Sequence, residues 1–125
     1  MSFTKSEILT AGKPELDTWA AEEIMGWHKE ALSSGTVWCD SKGIIKHWGD
    51  AAYRPSDFGA QARELLENLV TSRDVRIEQL TQIGNQYVCE LEWEEGGRRV
   101  RHVDTSRTRV IVIAALLTVK EMDEE

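Results

Sequence analysis

The stretch YRPSDFGAQARELLENLV, residues 53–70, decides the fold that the sequence predicts. Its apolar residues recur on one side of an α-helix, and charged residues fill the other side. The apolar residues are Phe58, Ala62, Leu65, Leu66 and Leu69. Ser56 is typical of a helix N-cap, because its hydroxyl can accept a hydrogen bond from a backbone N–H of the first turn. We therefore predict a helix that begins at Ser56, ends near Val70 and packs this face, Phe58 included, onto a sheet.

A second helix is predicted after Pro14, which suits a first turn because it has no N–H to leave unpaired. Apolar residues follow at helical spacing, and Gly26 can adopt the left-handed conformation that ends a helix. Trp27 is expected to fold back onto the core. Residues 1–13 are predicted to be an N-terminal arm or short leading turn, and residues 14–122 a single domain.

The late apolar segment, residues 110–117, fits two structures. Its valines and isoleucines favour a strand, because β-branched side chains are restricted in helices. Its alanines and leucines favour a helix, and three candidate caps precede it at residues 104–106. We predict a helix over about residues 107–122, followed by a solvated acidic tail at residues 123–125.

A first hairpin is predicted where two short β-prone runs, residues 37–39 and 44–48, flank an Asp-Ser-Lys-Gly turn. Residues 28–35 before it are predicted to be a connector. A polar patch at residues 71–74 is expected to end the central helix. A strand is then expected to start near residues 75–77.

The clearest strand pattern is the alternation from Tyr87 to Trp93, which predicts a second hairpin closed by a two-residue Gly96-Gly97 turn. That closure pairs Trp93 with Val100 and sets glutamates against arginines on the wet face. The block EEGGRR is therefore better explained as a device that fixes the register than as a binding patch. The predicted fold class is α+β.

The composition indicates a soluble globular protein with a formal net charge of -7 and a pI near 5.0. Direct nucleic-acid binding is not expected, since such binding depends on basic groups that neutralise phosphates. Cys39 and Cys89 are too few for a disulfide framework and are predicted to be buried thiols. No apolar run reaches the roughly 18 residues of a membrane span, and no secretory signal is recognisable. The predicted location is the cytoplasm, without membrane contact.

Three segments carry a resemblance to a known family: LDTWAAEEIMGW at residues 16–27, YRPSDFGAQARELLENL at 53–69 and RVIVIAALL at 109–117. Together they resemble the phage ABA sandwich domain family, small proteins encoded by phages and prophages. The resemblance implies a three-layer α/β/α sandwich with a mainly antiparallel sheet between helices, and a phage or prophage origin. Gly59 departs from the helix formers expected in the second segment. The resemblance carries no catalytic residue and no cofactor.

Candidate metal ligands are scattered along the chain: Cys39, His47, Cys89, His102 and Asp104. None form a close C-x-x-C or H-x-x-x-H pair, although the predicted register places Cys89 opposite Asp104 with His102 diagonal to them. A buried thiol beside a histidine on the apolar face is the simpler interpretation. No nucleophile–base motif or Gly-rich phosphate loop appears, and Ser56 is better explained as a cap than as a nucleophile. We predict no metal, no cofactor and no enzymatic activity.

The best local candidate for a ligand site is the 47–56 loop, which runs into a predicted helix N-terminus that could hold a phosphate. Its candidate ligand-binding residues are His47, Trp48, Tyr53, Arg54 and Ser56. Arg54 could donate to an anion, and Trp48 or Tyr53 could stack on a base. The alternative is that both aromatic side chains are core and that Arg54 pairs with a surface glutamate.

The function that we predict is a phage or prophage accessory protein that acts by binding. Its partner is expected to be a host protein, a defence effector that it inhibits by direct contact, and a basic nucleic-acid-binding effector would be attracted to the acidic surface. The alternative is sequestration of a nucleotide-like ligand at the 47–56 loop. A homodimer is also allowed, because helices on both faces of a small sheet leave apolar rims.

Overall fold

The computed structural model of the protein describes residues 3–49 and 52–124, and these form an α+β fold, as predicted. The helices in the described ranges are α1 Lys5–Thr10, α2 Lys13–Trp19, α3 Gly59–Arg73 and α4 Arg107–Asp123, and a π-helical turn, Ala20–Ile24, continues α2. The strands are β1 His28–Leu32, β2 Gly35–Cys39, β3 Ile45–Trp48, β4 Arg76–Ile83, β5 Gln86–Trp93 and β6 Arg98–Asp104. Pairing is antiparallel throughout, but the strands form two three-stranded sheets, β1–β3 and β4–β6, where a single sheet was expected. We call them sheet 1 and sheet 2.

Helix α4 is the centre of the core, which confirms the helical interpretation of the late apolar segment. Every residue from 110 to 119 is buried. A helix that is apolar on all sides must be surrounded, and α4 contacts β5, β6 and the three other helices. Of the three candidate caps, Ser106 is the one used: its hydroxyl accepts a 3.2 Å hydrogen bond from the Arg109 N–H. The helix reaches Asp123, so the predicted tail begins later than expected, and Glu125 lies outside the described residues.

The start of α3 corrects the sequence prediction. The helix begins at Gly59, and Phe58 occupies the N-cap position without a side-chain hydrogen bond. Phe58 is 43% exposed and therefore lies outside the core. The remaining apolar face is buried as predicted, but it packs chiefly on α4 and not on a sheet. The helix also runs through the expected break to Arg73, and Asp74 ends it in the left-handed conformation, with φ of 55°.

The N-terminal segment also differs from the prediction, because residues 3–10 of the expected arm pack on the core. Thr4 and Glu7 form a capping box that begins α1. Ile8 is fully buried, and the ring of Phe3 stacks on Trp19 at 4.3 Å between centroids. Two aromatic rings and a buried isoleucine are enough to hold this short helix against α4.

The second predicted helix is confirmed, with one refinement: its last turn, Ala20–Ile24, is π-helical. Gly26 then takes a φ of 73°, the left-handed conformation expected of it. Trp27 follows and joins the buried core, as predicted.

In sheet 1 the hairpin of β2 and β3 is confirmed, but the predicted connector before it is a third strand, β1. Paired residues of neighbouring strands point to the same side of a sheet. One side therefore carries Glu30, Val37 and Trp48, which are register partners. The other side carries Lys29, Trp38 and His47. We name these the outer and inner faces, because Trp38 packs into the main core.

In sheet 2 all strands are found where the sequence indicated them, but the register of the second hairpin was predicted wrongly by two residues. Trp93 pairs with Arg98 and not with Val100, and Cys89 pairs with His102 and not with Asp104. The turn is longer than two residues because Glu94 and Glu95 both adopt the left-handed conformation. Since the shift is even, each side chain keeps its face. Glutamates still oppose arginines, since Glu90 faces Arg101 and Glu92 faces Arg99. The face is not the wet one that was predicted, because Glu92 is only 2% exposed.

Candidate functional site

The predicted site residues of the 47–56 loop do not form one pocket, because the chain carries them to different sides of sheet 1. Trp48 lies on the outer face. Tyr53 and Arg54 line a cleft on the inner side. His47 packs in a cluster of aromatic rings, and Ser56 forms hydrogen bonds to Asp17. Asp50 and Ala51 lie outside the described residues.

Trp48 is the most exposed large apolar side chain among the described residues, at 65%. Val37 pairs with it in the sheet, and Leu32, 40% exposed, lies on the same face at the end of β1. We name Leu32 and Trp48 the outer patch; Val37, on the strand between them, is only 2% exposed. The exposed indole keeps a large apolar area in water.

His47 and Tyr53 belong to an aromatic cluster with Trp27. The Trp27 and Tyr53 rings meet edge to face at 4.8 Å, and His47 lies 5.3 Å from Tyr53 and 5.5 Å from Trp27. Tyr53 is 1% exposed. The alternative that aromatic residues of the loop are core therefore holds for Tyr53 and fails for Trp48.

Arg54 is positioned by two local contacts. Its backbone N–H donates to Gln61 Oε1 at 2.6 Å, and its guanidinium lies over the Phe58 ring at 4.8 Å. Within residues 3–49 and 52–124 it forms no ion pair, so the expected pairing with a surface glutamate is not found there. Stacking occupies a face of the guanidinium and leaves its N–H edges able to donate.

Ser56 is buried, and it binds Asp17 where the sequence predicted a helix cap. Its N–H donates to Asp17 Oδ1 and its hydroxyl to Asp17 Oδ2, both at 2.9 Å. The Ser56 carbonyl in turn accepts a hydrogen bond from the Thr108 hydroxyl. Ser56 thus ties α2 to the start of α4, and it has no hydroxyl proton left to offer a ligand.

The cleft that Tyr53 and Arg54 line, the inner cleft, has a volume of about 550 Å³ and lies between the start of α2 and the inner face of sheet 1. Its apolar wall consists of Pro14, Trp38 and Tyr53. Its charged groups are three cations and two carboxylates: Lys13, Lys29, Arg54, Asp17 and Asp57.

Each of the two carboxylates in the cleft already has a hydrogen-bond donor. Lys13 Nζ lies 2.6 Å from Asp57 Oδ1, and this hydrogen bond lowers the pKa of Asp57. Asp17 is held by Ser56, yet burial outweighs those hydrogen bonds and raises the pKa of Asp17. The Tyr53 hydroxyl is buried without a hydrogen-bond partner among the described residues, and burial raises its pKa.

Two substitutions of Asp17 should have different effects on stability. Asp17→Ala leaves the N–H and hydroxyl of Ser56 unpaired and should lower the free energy of unfolding by about 1–3 kcal/mol. Asp17→Asn keeps an acceptor for the N–H, lets its amide donate to the Ser56 hydroxyl, and removes a buried charge. We expect its free energy of unfolding at pH 7 to be at least that of the wild type, measured by urea denaturation.

The pH dependence provides a second test of Asp17. Its folded pKa lies above the ordinary value of 3.8, so protonation favours the folded state. That stabilisation is complete below the unfolded pKa and is lost as pH rises through the folded pKa. The advantage of Asp17→Asn over the wild type should therefore be larger at pH 7 than at about pH 4. An advantage that shrinks with rising pH would contradict this assignment.

The candidate metal ligands are not assembled. No group of three His, Cys, Asp or Glu side chains able to hold a metal ion occurs within the described ranges. His102 Nε2 lies 3.5 Å from Asp104 Oδ2, but that oxygen already forms an ion pair with Arg109 Nη1 at 2.6 Å. Both cysteines are buried, as predicted, and burial raises the pKa of Cys89 to about 12.

No family model matches the chain, and neither a curated protein nor a solved structure matches it at a significant level. The resemblance to the phage ABA sandwich domain family therefore stays a prediction. None of the helices in residues 3–49 and 52–124 combines the length and the hydropathy that crossing a bilayer requires.

Proposed function

We propose that the protein acts by binding and not by catalysis, and that it docks on another protein through the outer patch. The observation that carries this proposal is the exposure of Trp48 on the outer face of sheet 1, where Leu32 is also exposed two strands away. Tryptophan is enriched among the residues that contribute most to protein binding, which cluster near the centre of an interface in well-packed pockets. Trp48 would be the anchor of the contact, and Leu32 would extend it.

The partner that fits best is a basic protein. At a net charge of -7 the chain attracts such a partner and repels nucleic acid, which supports protein contact over direct nucleic-acid binding. We include in the proposal the phage or prophage origin, the cytoplasmic location and the inhibition of a host defence effector. These rest on the resemblance and on the charge. The outer patch supplies the place where such an effector would dock.

We further propose the three-layer order that the resemblance implies. This order rests on the resemblance, and the contacts of α4 with β5 and β6 supply one helix layer packed on sheet 2.

The test is capture from host lysate with the tagged protein, followed by a binding isotherm with the purified captured protein. Trp48→Ala should weaken that affinity about 30-fold or more, as expected for an interface anchor worth about 2 kcal/mol. Leu32→Ala should weaken it less, and Leu9→Ala is the matched control because Leu9 is similarly exposed, at 36%, but lies on α1. The affinity should also fall with rising salt.

Three results would count against docking on a basic host protein. If Trp48→Ala and Leu9→Ala bind the partner with equal affinity, the outer patch is not the docking surface. If the affinity does not depend on salt concentration, the partner is not a basic protein bound by charge. Sedimentation could show a dimer that Trp48→Ala disperses, which would make a second copy of the chain the occupant.

A further inference from the structure

We propose that the inner cleft binds a small ligand in which a flat apolar ring carries one anionic group, a phosphate or a carboxylate. The site lies on the face of sheet 1 opposite the outer patch and does not depend on the docking proposal. Two of the residues that the sequence singled out, Tyr53 and Arg54, contribute to it.

The size and wall of the cleft fit such a ligand. Its volume of about 550 Å³ is within the range of small-molecule sites, about 300–1,000 Å³. Pro14 is exposed at the edge of the cleft, whereas the rings of Trp38 and Tyr53 lie in its floor at 2% and 1% exposure. The Pro14 ring is therefore the apolar surface on which the ring of a ligand would pack.

The charges of the cleft fit an anion. Asp17 accepts two hydrogen bonds from Ser56, and Asp57 forms an ion pair with Lys13. The positive charge of Arg54 also acts on both carboxylates. Arg54 has no ion-pair partner among the described residues and is held by Phe58 with its N–H edges free to donate. A planar guanidinium fixed in this way can form paired hydrogen bonds to a carboxylate or a phosphate.

The Tyr53 hydroxyl is the second and independent observation. It is buried and lacks a hydrogen-bond partner in the described chain, and Tyr53 is one of the residues that line the cleft. Buried polar groups are nearly always paired, because an unpaired one retains its full desolvation cost. A ligand acceptor that reaches this hydroxyl would supply the missing hydrogen bond.

The experiment is isothermal titration calorimetry of the full chain with two matched pairs of probes: adenosine monophosphate against adenosine, and indole-3-acetate against indole-3-acetamide. The two pairs separate a phosphate ligand from a carboxylate ligand. At least one anion should bind one site per chain, about 10- to 100-fold more tightly than its neutral counterpart, as expected for a charge-assisted hydrogen bond.

Variants assign the binding to the cleft. Arg54→Ala should lower the affinity for the anion about 10- to 100-fold. Arg63 is an exposed arginine on α3 outside the cleft, so Arg63→Ala should leave that affinity unchanged. Tyr53→Phe should weaken binding several-fold without lowering the melting temperature, because it removes an unpaired hydroxyl and keeps the ring. Trp48→Ala should leave the anion's affinity as it is.

The proposal is overturned if neither anion binds at millimolar concentration, if each neutral counterpart binds as tightly as its anion, or if Arg54→Ala binds like the wild type. Trp48 and Arg54 lie on opposite sides of sheet 1. A titration without binding would therefore not contradict the docking proposal, and a failure to capture a partner would not contradict the ligand proposal.

Discussion

Leu116→Ala is expected to lower the free energy of unfolding by about 2–5 kcal/mol, because it removes three carbon atoms from the most enclosed part of the core. Leu116 is fully buried on α4, and its neighbours along the helix from Val110 to Val119 are buried as well. A helix enclosed on all sides cannot shift toward one neighbour without leaving another, so the cavity should not collapse. The cost should then fall in the upper part of that range.

Urea denaturation at a fixed pH measures this prediction, and Leu9→Ala is its control. The substitution is the same, but Leu9 is partly exposed on α1, and its truncation should lower the free energy of unfolding by only about 1 kcal/mol. Equal losses from the two variants would mean that α4 is not the enclosed centre of the fold. That result would also remove the physical reason for its unbroken apolar sequence.

The predictable part of the fold is the part that local patterns determine. Leu65 and Leu69 are buried on one face of α3 because an interior helix needs a stripe at that spacing. The alternation from Tyr87 to Trp93 places Cys89, Leu91 and Trp93 in the core for the same kind of reason. The capping box of α1, Thr4 with Glu7, was an equally local signal that the sequence interpretation overlooked.

The errors arise where a distant residue competes with a local one. Ser56 has the chemistry of a cap, but Asp17, 39 positions earlier, takes both of its donors. The N-cap consequently moves two residues on, from Ser56 to Phe58, and Phe58 stays outside the core. In the second hairpin, Glu94 and Glu95 adopt a conformation that usually favours glycine, so the Gly96-Gly97 pair did not determine the turn.

The candidate sites were predictable only in part for the same reason. Proximity along the chain joined five residues of the 47–56 loop, but a sheet separates neighbours in sequence by sending them to opposite faces. Lys13, Lys29 and Trp38 line the inner cleft beside Tyr53 and Arg54, and they come from α2, β1 and β2. No spacing rule connects these segments, since only the folded arrangement brings them together.

Trp38→Ala is expected to release sheet 1 from the rest of the protein. Trp38 is 2% exposed and is the large side chain by which the inner face of the sheet enters the main core. The strands of sheet 1 otherwise contact chiefly one another in the described structure, and β1 is exposed along its whole length. Truncating a buried tryptophan to alanine costs about 3–5 kcal/mol, and here that loss should fall on one unit of the fold.

Hydrogen exchange measures where the loss falls. In Trp38→Ala the backbone amides of residues 28–48 should exchange faster, while those of β5 and α4 keep most of their protection, because Leu91, Ile113 and Leu116 remain packed. Trp48→Ala is the control within the same sheet: its indole is 65% exposed, so exchange should change little at any position. A uniform loss of protection across both sheets would show that they unfold as one unit.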